Sequence, residues 1–161
     1  MFAETRLLTE WVAQNYPTTE WFSQLRVGSD PGVVGIVYRD DADRRLARNF
    51  CRRVDAAIIT PAEVLLIEAC MYNATEKVGR LQEYLLLARA TPELLPYRGR
   101  PLVAVLLTGQ HDPIAEVLCK RLGFRYVHWE PPWIGDFYAL YPDRVRRTPH
   151  VGLIEALEAA P

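Results

Sequence analysis

Two apolar runs joined by a short polar turn constrain the fold of this chain more than any other feature. Residues 54–60 (VDAAIIT) and 64–70 (VLLIEAC) flank a turn in which Pro61 suits the first central position. This pattern predicts a β-hairpin. With Pro61 and Ala62 as the two loop residues, the register places Asp55 opposite Glu68, with Cβ atoms about 5 Å apart.

Asp55 and Glu68 are acidic residues inside otherwise apolar strands. Two like charges this close are destabilising unless a proton or a cation lies between them. A hard cation such as Mg²⁺ accepts one or two carboxylates together with waters and phosphate oxygens. Two interpretations stay open, a metal site or a pair of acids that are solvated or neutralised by arginine. Arg53, on the same predicted face, is a candidate for that neutralisation.

Periodicity on both sides of the hairpin predicts an α/β domain whose mixed β-sheet is flanked by helices. Asp112 and Pro113 are typical of a helix start, and Thr75 is a candidate N-cap.

A single domain is predicted over 1–140, and the amphipathic tail 141–161 is predicted to dock on the body or on a partner. The predicted helices are 3–15, 75–90 and 113–122, and the further strands are 20–27, 33–38, 102–108 and 124–129.

Composition excludes several classes of protein. The chain has 161 residues, of which 50% are hydrophobic, and a net charge of −1, which excludes a disordered chain and a whole-surface affinity for polyanions. The three cysteines form no CxxC pair, so we expect free thiols in a reducing compartment. The first residues lack a signal-peptide pattern, and no apolar stretch approaches roughly 20 residues, so no membrane association is expected.

The order of helix, strand, acid-bearing hairpin, helix and strand resembles the PD-(D/E)XK nuclease fold (the restriction-endonuclease-like core). The resemblance extends from Glu4 to Trp133, and the stretch from the hairpin through TPELLPY and PLVAVLLT is similar to small bacteriophage-encoded members. It implies that Asp55 and Glu68 bind a metal ion, with Glu4 as a further acid from the first helix.

Two positions depart from the family's pattern. The lysine that follows the glutamate by two residues in the family is Cys70 here, and a thiol cannot supply a cationic donor. The family's glutamine, four residues before a tyrosine in the next helix, corresponds to Arg80 when Tyr84 is in register. Only two lysines occur in the chain, and Lys77 is the candidate for a relocated cation, since Lys120 lies far along the sequence.

These departures predict a catalytically impaired PD-(D/E)XK-like domain, a pseudo-nuclease without a cofactor. The similarity to phage proteins implies a virion assembly role in the head–tail neck or connector, or a DNA-associated structural protein. The expected partners are further copies of the chain or virion proteins on the portal or tail side, and the expected location is the virion or the bacterial cytoplasm.

Two alternatives stay open. The first is a Mg²⁺-dependent DNA endonuclease that uses Asp55, Glu68 and Lys77. The second is a nucleic-acid-binding module in which the arginines of residues 44–53 contact phosphates. The arginines proposed for that contact are Arg44, Arg45, Arg48 and Arg52.

An aromatic run at 128–141 is predicted to pack over the sheet. Its rings also suit a protein–protein contact surface. The residues proposed for partner binding are Trp129, Trp133, Phe137 and Tyr138.

Overall fold

The computed structural model describes residues 3–28, 40–41, 52–144, 155–156 and 159. Three sequence predictions fall outside this part of the chain. They are the strand at 33–38, most of the tail 141–161, and the phosphate-binding role of Arg44, Arg45 and Arg48.

The described chain forms a five-stranded mixed sheet with helices on both faces, which confirms the α/β prediction. The strand order is β1-β2-β3-β4-β5, with antiparallel pairing at the first two junctions and parallel pairing at the last two. The elements are α1 (Ala3–Asn15), β1 (Glu20–Arg26), β2 (Arg53–Ile59), β3 (Val64–Cys70), α2 (Ala74–Ala88), a 3₁₀ segment (Pro92–Tyr97), β4 (Leu102–Thr108), α3 (Pro113–Arg121), β5 (Arg125–His128), α4 (Ile134–Leu140) and a second 3₁₀ segment (Pro142–Arg144).

The hairpin has the register that its turn predicts. Ile59 pairs with Val64 and Ala56 pairs with Ile67, and the Thr60 amide donates to the Glu63 carbonyl at 3.0 Å. A two-residue loop dictates this register because each residue added to one strand is matched by one on the other.

Strand β3 occupies the centre of the sheet, and all seven of its residues are buried. Its Leu66 side chain packs in one layer with residues of α2 and α3, whereas Leu65 and Ile67 pack in the opposite layer with residues of α1 and α4. A strand buried on both faces needs apolar side chains at nearly every position, which explains its continuous apolar sequence.

The predicted start of α3 is confirmed, because the Asp112 carboxylate accepts a hydrogen bond from the Ala115 amide at 3.0 Å. The predicted N-cap of α2 is wrong. The helix begins at Ala74, and Asn73 precedes it in the left-handed region with φ of 59°. Asparagine tolerates that conformation. The turn after β3 is therefore made at Asn73, and the helix begins one residue before Thr75.

The aromatic run packs over the sheet as predicted and includes α4. Trp129, Trp133, Phe137 and Tyr138 are partly buried against the layer that contains α1. Gly109, directly after β4, makes this packing possible, since a Cβ there would lie 2.6 Å from Cδ1 of Ile134. None of the helices in the described residues combines the length and the apolar character needed to span a membrane.

Candidate functional site

The candidate site lies where β2 and β3 separate. The backbone pairing of the hairpin extends no further than Ala56 and Ile67. Beyond it, the carboxylate of Asp55 accepts a hydrogen bond from the Ala69 amide at 2.9 Å, so a side chain satisfies a donor of β3. Asp55 is therefore held against the backbone of the residue that follows Glu68.

A residue of β1 completes the environment of Asp55. Gln24 donates from its side-chain amide to Asp55 Oδ1 at 3.0 Å, and its backbone lies in the left-handed region with φ of 51°. The strands are distorted here, because Val54 and Ala57 contribute to the same core layer although strict alternation would place them on opposite faces. Sequence reasoning missed Gln24, since nothing in an exposed strand position signals a left-handed backbone.

Glu68 is buried, with 2% of its surface exposed, and it faces helix α2. Lys77 Nζ donates to Glu68 Oε1 at 2.8 Å, and Arg80 Nη1 lies 3.6 Å from the same oxygen. The cations beside this acid thus come from α2. Arg53, proposed from the sequence as a neutralising residue, is exposed and pairs across the sheet with Arg26 of β1.

Burial and the charge of Asp55 raise the pKa of Glu68, and the hydrogen bond and charge of Lys77 oppose that rise. For Lys77 itself, burial acts to lower the pKa, but the hydrogen bond and charge of Glu68, joined by the charge of Glu4, outweigh it and raise the pKa. The charges of Asp55 and Lys77 thus act on Glu68, and those of Glu68 and Glu4 act on Lys77, while the site role of these residues stays a prediction.

Glu4 belongs to this end of the molecule. It lines a cleft of about 400 Å³ together with Asp55, Gln24 and residues of α1. The resemblance to the nuclease fold implied an acid from the first helix at this position.

One buried carboxylate oxygen of this site is left for a proton or a ligand. Oε2 of Glu68 is buried and has no hydrogen-bond partner of good geometry among the described residues, although the Tyr84 hydroxyl lies close enough for its interaction with Glu68 to contribute to the raised pKa of Tyr84. Such an atom needs a ligand or a proton, because an unsatisfied buried acceptor is costly. Mg²⁺ is commonly held by one or two carboxylates with waters and phosphate oxygens completing the shell. Within the described residues, no group of three or more acidic, histidine or cysteine side chains is arranged to hold a metal by itself.

Cys70, in the position of the family's lysine, is 1% exposed, and burial raises the pKa of its thiol to about 12. It behaves as a small apolar core residue. Tyr84 is buried one turn beyond Arg80 on α2, and burial together with the charge of Glu68 raises its pKa.

The other predicted site residues lie away from this cluster or make other contacts. Arg52 is exposed and forms an ion pair with Glu83 at 3.0 Å, so nucleic-acid binding by the 44–53 arginines stays a prediction. Trp133 donates from its indole nitrogen to Glu10 at 2.7 Å, and the Arg6 guanidinium lies 4.4 Å from its ring centroid. Partner binding by the aromatic residues also stays a prediction.

Comparison of this chain with protein-family models, with curated proteins and with solved structures finds no match.

Proposed function

We propose that this chain is a Mg²⁺-dependent nuclease of the PD-(D/E)XK type in which Lys77 of α2 replaces the lysine usually carried by the third strand. The observation that supports it most is the 2.8 Å contact between Lys77 and Glu68, made while Asp55 is bonded to the next backbone amide of β3. Carboxylates that hold a divalent cation and a cationic donor beside them are groups that metal-assisted phosphodiester hydrolysis can use.

Each residue has a distinct role in this proposal. Asp55 and Glu68 would hold Mg²⁺, which when bound stabilises the negative charge that develops on the phosphate. The Lys77 ammonium has three N–H donors, one of which is used by Glu68, so it can also orient a water or contact a phosphate oxygen. Gln24 and the Ala69 amide hold the carboxylate of Asp55 in a single orientation.

Cleavage assays with matched variants test this function. Plasmid DNA and single-stranded DNA are incubated with the protein and Mg²⁺ or Mn²⁺. We expect cleavage by the wild type and a loss of about 100-fold or more in Asp55→Asn, Glu68→Gln and Lys77→Met. Lys120→Met is the control, because it removes the other lysine of the chain from an exposed position of α3.

Circular dichroism of each variant separates loss of chemistry from loss of fold. Absence of cleavage by the folded wild type, or cleavage that persists in Lys77→Met, would overturn the proposal.

A second candidate is a catalytically impaired domain that assembles in a phage head–tail connector. Two observations favour the loss of catalysis. Lys77 and Arg80 already pair with Glu68, and both oxygens of Asp55 accept hydrogen bonds from the protein. This candidate predicts a ring of copies, or a stable complex with a portal or tail protein, by native mass spectrometry. A monomer that cleaves DNA would exclude it.

A further inference from the structure

Helix α2 carries a second cation one turn after Lys77. Arg80 Nη1 lies 3.6 Å from Glu68 Oε1, which is longer than a hydrogen bond, whereas Lys77 Nζ lies at 2.8 Å from the same atom. Because Lys77 already supplies the hydrogen bond to this oxygen, Glu68 does not depend on Arg80 for one.

The two cations differ in their access to solvent. The side chain of Lys77 is 19% exposed and that of Arg80 is 54% exposed. Lys77 is therefore the more enclosed of the two cations beside Glu68, and more than half of the Arg80 side chain is open to solvent.

Arg80 also differs from two arginines near this end of the sheet, Arg52 and Arg6. Arg52 donates to Glu83 at 3.0 Å, and Arg6 donates to Glu10 at 2.7 Å. Among the described residues, no hydrogen bond engages the guanidinium of Arg80, and its ion-pair partner is Glu68 at the longer distance. Its planar fork of five N–H donors is thus available to an anion.

We propose that Arg80, exposed to solvent beside Glu68, binds a backbone phosphate of the substrate strand. This inference rests on the proposed nuclease function and assigns a substrate contact within it. A guanidinium forms two parallel hydrogen bonds to a phosphate, a geometry that the ammonium of Lys77 cannot provide. The contact recognises the sugar–phosphate backbone of a nucleic acid without regard to base sequence.

The alternative is a purely structural role, in which Arg80 reduces the field of buried Glu68. The two roles differ in their response to salt. A residue that contacts a phosphate releases a counterion on binding, so its removal lowers the dependence of affinity on salt by about one phosphate equivalent. A residue that acts only within the folded protein changes the midpoint of unfolding and leaves that dependence unaltered.

The test measures fluorescence anisotropy of a short fluorescein-labelled DNA oligonucleotide over a series of KCl concentrations, with Ca²⁺ in place of Mg²⁺. The proteins are the wild type, Arg80→Gln, Arg80→Lys and the control Arg89→Gln, which removes an exposed arginine just after α2. Steady-state cleavage with Mg²⁺ and thermal unfolding are recorded for the same four proteins.

For Arg80→Gln we expect an affinity about 10-fold lower at low salt, a log–log salt slope smaller by about 0.7 to 0.9, and a rise in KM larger than the fall in kcat. Arg80→Lys recovers the salt slope but only part of the affinity, since it keeps the charge and loses the planar fork. Arg89→Gln behaves as the wild type.

The outcomes separate this inference from the function on which it rests. In one outcome, cleavage needs Lys77 but Arg80→Gln keeps the wild-type KM and salt slope. That result overturns the phosphate contact and leaves the nuclease function standing. Binding that depends on Arg80 without cleavage supports the contact and overturns the nuclease. A folded wild type that neither binds nor cleaves the oligonucleotide overturns both.

Discussion

Lys77 Nζ lies 2.8 Å from Oε1 of Glu68, a carboxylate that is 2% exposed in the middle strand of the sheet. Removing one partner of a fully buried pair costs about 3 to 5 kcal/mol, and the cost here is smaller because Arg80 stays 3.6 Å from Glu68 and Lys77 is partly exposed. We expect Lys77→Met and Glu68→Gln each to lower the free energy of unfolding, and the double variant to lose less than the sum of the two losses.

Urea unfolding of the four proteins in this cycle measures the coupling. Lys120→Met serves as the control and should unfold with the wild-type midpoint. Strict additivity of the two single changes would show that the contact contributes nothing to stability.

The same pair has a pH dependence whose sign follows from the raised pKa of Glu68. A carboxyl whose pKa is higher in the folded state contributes stability that is fully present below its unfolded pKa and is lost as the pH rises through the folded pKa. Lys77→Met removes the hydrogen bond and the charge that lower the pKa of Glu68, so the pKa of Glu68 rises further in the folded state. The free energy of unfolding then falls by more as the pH rises. We expect the stability deficit of Lys77→Met to be larger at about pH 8 than at about pH 4.5. A deficit of constant size over this range would contradict the assignment.

A lysine exchange tests whether the cation has moved from β3 to α2. Position 70 lies two residues after Glu68 on the same face of β3, so a lysine there extends toward the same layer. We expect Cys70→Lys combined with Lys77→Met to regain part of the cleavage lost in Lys77→Met, and to be less stable because position 70 is buried.

The matched control for this exchange is Cys70→Ala with Lys77→Met, which carries no cation at either position. Equal cleavage rates of the two double variants, with both folded by circular dichroism, would argue against an equivalent role for the two positions.

Two glycines give a stability prediction with opposite signs. A Cβ on Gly109 would lie 2.6 Å from Ile134 Cδ1 and 3.0 Å from Met71 Sδ, whereas one on Gly79 would meet nothing within 4 Å. We expect Gly109→Ala to destabilise the protein by about 1 kcal/mol through overpacking, because the clashing atoms lie toward the ends of side chains that can shift. Gly79→Ala, within α2, should stabilise it by about 0.5 to 1 kcal/mol. Thermal unfolding of both variants checks this, and a neutral Gly109→Ala would contradict the packing of α4 against the end of β4.

The buried thiols provide a probe of the core. Cys70 and Cys119 are 1% and 0% exposed, and burial raises the pKa values of their thiols to about 12 and about 11. In a Cys51→Ser variant we expect reaction with Ellman's reagent at about pH 8 to be at least about 100-fold slower in buffer than in denaturant. Rapid modification of the native variant would show that one of these strands or helices opens readily.

Local patterns determined much of this fold. The two-residue turn set the hairpin register, the continuous apolar run of residues 102–108 corresponds to β4, and the Asp112-Pro113 pair marked the start of α3. Each of these features depends on residues close together in the sequence, whose spacing alone specifies a period, a turn or a cap.

Only the tertiary structure decided which side chains meet at the candidate site. The contact of Lys77 with Glu68 depends on the angle at which α2 packs on the sheet, and the sequence could offer Lys77 only as a candidate. The hydrogen bond of Gln24 to Asp55 depends on a left-handed residue in β1 that no periodicity indicates. The sequence thus determined the acids and their strands. The packing of α2 on the sheet decided that Lys77 and Arg80 lie beside Glu68, because contacts between separate elements depend on how those elements are oriented in space.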